Sequence, residues 1–148
     1  MYSPGKVIYF DPFLFKDGSS KRKYFLVLKV IQNSAVVASL PSSVNHLPTS
    51  QAIEHGCLEL PDSEINCYVF EANRSVTKDG WSFDLHTFLY GWWLNDFDLE
   101  LLNSQYQIEH VDYEIVGDLT DDELQKVIDC FANSSVVKRK YKRLLSGG

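Results

Sequence analysis

The sequence predicts a mainly β, antiparallel fold finished by C-terminal helices. Three observations carry that expectation. The first 40 residues hold three runs rich in β-branched and aromatic residues, joined by short polar turns. Residues 106–116, YQIEHVDYEIV, alternate apolar and polar side chains as a half-buried strand does. After Thr120 the period becomes helical, with Leu124, Val127, Ile128 and Phe131 on one face. With 148 residues, 45% hydrophobic and 14% aromatic, the chain reads as a single globular domain, 1–148, able to bury one continuous core.

Lys6–Phe15 (KVIYFDPFLF) opens the fold. Pro12 removes a backbone donor, so this strand is expected to run along an edge or to carry a bulge there. Asp17-Gly18 supplies a turn, Lys23–Ile31 (KYFLVLKVI) a second strand, Gln32-Asn33-Ser34 a tight connection and Ala35–Leu40 (AVVASL) a third strand. Successive strands with short links make an antiparallel meander, the beginning of a small barrel or a strongly bent sheet. Pro41–Pro48 is a loop by composition.

Cys57–Leu60 and Asn66–Phe70 are short strands around Pro61-Asp62-Ser63, and Asp96–Asn103 a short helix. The middle segment, about 50–105, is enlarged and aromatic-rich, and its WSFDLHTFLYGWW run follows no clear period. Phe83, Phe88 and Trp92 are expected in the core. Trp92 and Trp93 cannot both point inward on an extended chain, so one is expected at a partner or subunit surface. Thr120-Asp121-Asp122-Glu123 is a capping box: the threonine hydroxyl accepts the Glu123 amide, and the Glu123 carboxylate reaches back. It opens a helix at about 121–132. Ser134 or Ser135 can cap a second, at about 135–145, with Val137, Tyr141, Leu144 and Leu145 on one face.

The charge is bipolar. A net charge of -6 argues against a protein that coats nucleic acid indiscriminately. Most of the 14 basic residues nevertheless lie in two clusters: Lys16, Lys21, Arg22 and Lys23, then Lys138, Arg139, Lys140, Lys142 and Arg143. Three cysteines, Cys57, Cys67 and Cys130, are an odd number without paired spacing and are expected as reduced structural thiols. The apolar runs are too short for a bilayer, and MYSPGKVIYF lacks the apolar stretch and cleavage site of a signal peptide. A cytoplasmic protein without membrane contact is expected. His55-Gly56-Cys57 is the only close His/Cys pair, so neither a metal nor a cofactor is expected.

Two stretches, covering roughly the first 40 and the last 35 residues, resemble one family. Gly5-Lys6-Val7-Ile8-Tyr9, Phe13-Leu14-Phe15, Asp17-Gly18-Ser19 and Phe25-Leu26-Val27-Leu28 follow the order of its opening hairpin. IVGDLTDDELQKVI, 115–128, is similar to the lead-in of its closing helix. The family is the MazF/PemK-like toxins of toxin–antitoxin pairs, small SH3-like (CcdB/PemK-like) antiparallel β-barrels. The resemblance does not extend over 50–105.

The resemblance implies a homodimer that cleaves single-stranded RNA without metal, the substrate's 2′-hydroxyl attacking the adjacent phosphate. It also implies a cognate antitoxin whose acidic or hydrophobic tail fills the same groove. The arginine that opens the family's second strand falls on Lys23, with Arg22 one residue earlier. The proline after it is Tyr24, and Ser42, in Ser39-Leu40-Pro41-Ser42-Ser43, is the hydroxyl counterpart. Arg22, Lys23 and Ser42 are thus the catalytic candidates, and Lys16, Lys21, Ser43 and His46 the RNA-binding ones. Fixed donors are what a phosphorane's extra charge requires, and a guanidinium fork fits it better than an ammonium.

Plainer readings stand beside these. A charged hairpin tip keeps sheet edges soluble, and KRKYKR (138–143) is either a solvated helix face or a second contact for RNA or an acidic partner, with Tyr141 available for stacking. The alternative on the same fold is a binding module that grips RNA or a protein through the basic turn and exposed aromatics, without cleavage.

Overall fold

The structure is a computed structural model describing residues 1–147. Eight strands form two antiparallel sheets: β1 (Lys6–Leu14), β2 (Ser20–Ile31), β3 (Ala35–Ser39), β4 (Gly56–Leu60), β5 (Ile65–Phe70), β6 (Thr87–Tyr90), β7 (Asn95–Asp98) and β8 (Tyr113–Asp118). The larger sheet runs β7-β3-β2-β1-β8 and the smaller β4-β5-β6. Three helices follow the middle strands: α1 (Leu99–Gln105), α2 (Asp121–Ala132) and α3 (Arg139–Leu145). The chain is therefore mainly β, with the expected β1–β2–β3 meander. An isolated bridge, Ser42–Phe88, links the two sheets, which do not close into one barrel ladder.

Pro12 sits at a bulge. Phe10 faces Lys23 and Phe13 faces Lys21, so Asp11 and Pro12 together oppose Arg22. β1 is not an edge strand, because β8 pairs along its other side. That pairing stops at Phe10–Tyr113, short of the proline, so no ladder bond is lost.

Side chains alternate along β2, and both faces of the large sheet are covered. Leu26 and Leu28 join Tyr68, Phe70, Leu89 and the α2 residues Val127 and Phe131 between the sheets. Phe25 and Val27 join Phe10, Phe13, Leu102 and Tyr106 under α1. Two-sided burial explains why the central strands read as unbroken apolar runs.

The α2 cap forms as expected on one side only. Thr120 Oγ1 accepts the Glu123 amide at 3.2 Å. The Glu123 carboxylate does not reach back; it accepts a hydrogen bond from His55 Nε2–H, while His55 Nδ1 accepts the Glu71 amide at 3.1 Å. A nearly buried carboxylate needs a partner that is buried too.

Other expectations are corrected by tertiary pairing. Of the helix expected at 96–103, residues 99–103 are helical but 96–98 are strand because they pair with β3, and Asp98 caps α1 by accepting the Leu101 amide at 3.1 Å. Of the alternating segment only 113–116 is strand, within β8. Before it, Asp112 Oδ2 ties down a turn through the amides of Gln107 (3.0 Å) and Ile108 (2.9 Å). The last helix starts at Arg139, because Ser134 Oγ folds the chain into a turn, accepting the amides of Val136 (3.0 Å) and Val137 (3.3 Å).

The cysteines are not all reduced. Cys57 and Cys130 form a disulfide between β4 and α2, across 73 residues, and only Cys67 is free. Burial pushes the Cys67 thiol up to about 12. Among the described residues no helix is long and apolar enough to cross a membrane.

Candidate functional site

β2 is longer than its neighbour. Its pairing with β3 begins only at Leu26–Ser39, so Ser20–Phe25 lack a β3 neighbour, and Ser20–Arg22, beyond the end of the β1–β8 pairing, project with β1 as a two-stranded ribbon. Beyond Ser39 the chain leaves the large sheet, runs through Leu40 and Pro41 and reaches the small sheet, where Ser42 exchanges backbone hydrogen bonds with Phe88 at 3.0 and 2.7 Å. This crossover leaves an opening between the ribbon, the 41–44 segment and the approach to β6. It is a cleft of about 250 Å³, whose polar lining includes Lys21, Arg22, Lys23, Ser42, Ser43 and Asp84. Tyr9 and Tyr24 form an aromatic wall beside them, their rings 4.9 Å apart.

All three catalytic candidates meet here. Lys23 is half-buried; its ammonium lies 3.5 Å from the Pro41 carbonyl and 5.8 Å from the centre of the Trp93 ring. Burial, with help from neighbouring Lys21, lowers its pKa from the ordinary lysine value. Arg22 lines the cleft at its exposed margin, its Nε 3.4 Å from Asp11 Oδ1. An exposed pair of this kind holds only about 0–1 kcal/mol, so the guanidinium is free to turn to a stronger anion. Ser42 is buried, and its Oγ accepts the Val44 amide at 3.1 Å, which leaves the hydroxyl hydrogen for a ligand.

The four RNA-binding candidates divide. Lys21 and Ser43 line the cleft. Lys16 belongs instead to a groove beside β7 and α1 that contains Asp96 and Asp98. His46 supports a neighbouring aromatic ledge: its amide donates to the Tyr90 hydroxyl at 2.7 Å, and its ring sits 5.7 Å from that of Trp93.

That ledge corrects the expected position of Trp92. Both indoles are exposed, Trp92 by 45% and Trp93 by 38%, because Gly91–Trp93 is a 3-10 turn rather than a strand. Phe83 and Phe88 are buried as expected. Tyr141 is not available for stacking: it is buried in α3, its hydroxyl donating to Asp96 Oδ1 at 3.0 Å, and burial with that bond pushes its pKa up to about 12. Lys140 is paired with Asp96 at 3.0 Å, whereas Lys138 lines a second groove described below.

Sequence reasoning missed Tyr9, Tyr24 and Asp84 as lining residues, whereas Lys138 belongs to the KRKYKR cluster that it names as a second candidate contact. The only available signal was the aromatic density of 81–93, which marks a surface without saying which one. Among the described residues no group of three or more His, Cys, Asp or Glu could hold a metal ion. No known protein family, curated protein or solved structure matches this chain.

Proposed function

We propose that the protein is a MazF/PemK-like endoribonuclease that binds single-stranded RNA across the 250 Å³ cleft and cleaves it without metal. One observation carries the reading: the Arg22–Lys23 pair and Ser42, some twenty residues apart and both named by the resemblance, line the same cleft. A half-buried ammonium, a mobile guanidinium and a hydroxyl donor are the fixed and adjustable donors that a five-coordinate phosphate needs.

In the proposed reaction the 2′-oxygen bonds to phosphorus and the P–O5′ bond breaks, giving a 2′,3′-cyclic phosphate and a 5′-hydroxyl. Asp84, the carboxylate of the lining, accepts the 2′-hydroxyl proton and passes it through water to the departing 5′-oxygen, which regenerates the carboxylate. On this reading the two sheets, joined through Ser42–Phe88, are an opened form of the SH3-like barrel. The protein acts in the cytoplasm as a homodimer, and an antitoxin tail of acidic or hydrophobic character competes for the cleft.

A second reading, RNA or protein binding without cleavage, draws on a different observation. The half-buried cation is a lysine, while the only nearby guanidinium is exposed and turned to Asp11. The deciding experiment is digestion of a long, weakly structured RNA in EDTA by wild type, Arg22→Ala and Lys23→Ala. Cuts ending in cyclic phosphate and lost in a variant support the ribonuclease. Binding without any cut, abolished by the same variants, assigns the cleft to the binding module.

A further inference from the structure

The cleft does not end at Lys23. Lys21, Lys23, Ser42 and Val44 also line a larger groove, about 720 Å³, whose other walls include Trp92, Trp93 and Lys138. Resting on the RNA reading above, we infer that Trp92 and Trp93 form a stacking subsite for a nucleobase of single-stranded RNA whose phosphates lie along Lys21, Lys23 and Lys138.

Exposed indoles lose the free energy that burial would supply, about 25 cal/mol per Å², so two adjacent ones on a rigid support call for a ligand. The support here is rigid. Trp92 stacks on Tyr90 with centroids 4.8 Å apart and planes 7° apart. Tyr90 is itself held, its hydroxyl donating to the Val44 carbonyl at 2.7 Å and accepting the His46 amide. Trp93 stands across Tyr90 at 88° and 5.3 Å, presenting a second ring plane beside the first. Gly91 anchors the turn: a Cβ at that position would lie 2.7 Å from both Asn66 Oδ1 and Val137 Cγ2.

Charge then selects the occupant. Three ammonium groups face the groove against one carboxylate, Asp17, which is already committed to the Ser19 amide and hydroxyl at 2.9 and 2.5 Å. An acidic peptide would meet the cations but leave the indole faces wet. Single-stranded RNA uses both, placing phosphates on the lysines and a flat base on a ring. Stacking reads a π-face rather than a hydrogen-bond pattern, so the subsite tolerates different bases.

The test is fluorescence anisotropy with labelled 2′-O-methyl oligoribonucleotides, which cannot be cleaved, intact or carrying one abasic position moved along the strand. Trp92→Leu, Trp93→Leu, Trp93→Phe, Lys138→Gln and Lys23→Ala are compared with wild type, each checked for fold by circular dichroism. For Trp93→Leu the expected result is roughly tenfold weaker binding of the intact oligonucleotide, with partial recovery in Trp93→Phe. One abasic position should be costly in wild type and free of cost in Trp93→Leu. Intact-oligonucleotide affinity unchanged in both leucine variants but lost in Lys23→Ala would overturn the stacking subsite and leave the phosphate cleft standing. No RNA binding by folded wild type would overturn both. Tight binding of a labelled glutamate-rich peptide, lost in the tryptophan variants and undisturbed by RNA, would assign the groove to an acidic protein instead.

Discussion

The Lys23 ammonium is held between the Pro41 carbonyl, 3.5 Å away, and the face of Trp93, 5.8 Å from the ring centre. Neither partner is an anion, so the fold keeps a half-buried cation without an opposite charge. Desolvation is not recovered, and the lysine pKa falls.

That relationship predicts a trade between stability and binding. The unfolded chain keeps the Lys23 proton to a higher pH than the folded one, so stability rises with pH through the window between the two values, and the cost of the charge is fully present below it. Replacing Lys23 by Met should raise the melting temperature by about 1–3 °C at neutral pH while weakening RNA binding. Affinity in wild type should decline with rising pH before ordinary lysines titrate near about 10.4. Thermal melts paired with binding isotherms check both; a lower melting temperature in the variant would mean that the lysine is a structural donor.

Glu59 is a knot between β4 and the α2–α3 connection. One oxygen accepts from Ser134 Oγ at 2.7 Å and Asn66 Nδ2 at 3.1 Å, the other from the Ser135 amide at 2.7 Å. Burial opposes ionisation, but the bonds from Ser134, Ser135 and Asn66 outweigh it and the pKa falls below 4.5. The stabilisation is therefore present above the unfolded value and lost as pH drops through the folded one. Glu59→Gln should cost about 1–3 kcal/mol in urea unfolding at pH 7, and the gap from wild type should narrow in acid.

The Cys57–Cys130 bond shares no residue with the lining of either the cleft or the groove. Reduction, or Cys57→Ser, should lower unfolding free energy by about 2–4 kcal/mol and leave oligonucleotide affinity unchanged. Denaturation and anisotropy with and without a phosphine reductant test this. In a reducing cytoplasm the pair would stand as thiols, and α2 would be held by its apolar face and the His55–Glu123 bond.

Gly91→Ala should be disproportionately harmful for a single methyl group. The added carbon meets Asn66 Oδ1 and Val137 Cγ2 at 2.7 Å, and forcing them apart costs about 1–3 kcal/mol. Because Gly91 begins the turn that carries both indoles, tryptophan fluorescence of the folded variant should change together with its stability.

Local patterns were legible where one period dominated. The meander, the 121–132 helix with its threonine cap, and the Pro12 bulge all follow from neighbours within a few residues. The pattern misled where a distant strand supplied the partner: Asp96–Asp98 looks like the start of a helix until β3 pairs with it, and Glu123 looks like half of a capping box until His55 arrives. Serine at 134 is a good cap by type, yet its hydroxyl closes a separate turn because Glu59 anchors it.

The sequence by itself singled out Arg22, Lys23 and Ser42 as candidates, through the resemblance of its opening hairpin and third-strand end, because order and residue type along a strand are local properties. Only the tertiary structure decided that they share a cleft with Asp84, that Trp92 and Trp93 extend it, and that Cys57 meets Cys130. The reason is the crossover after Ser39: a chain that leaves one sheet to join another brings together residues tens of positions apart, and no period in the sequence records that encounter.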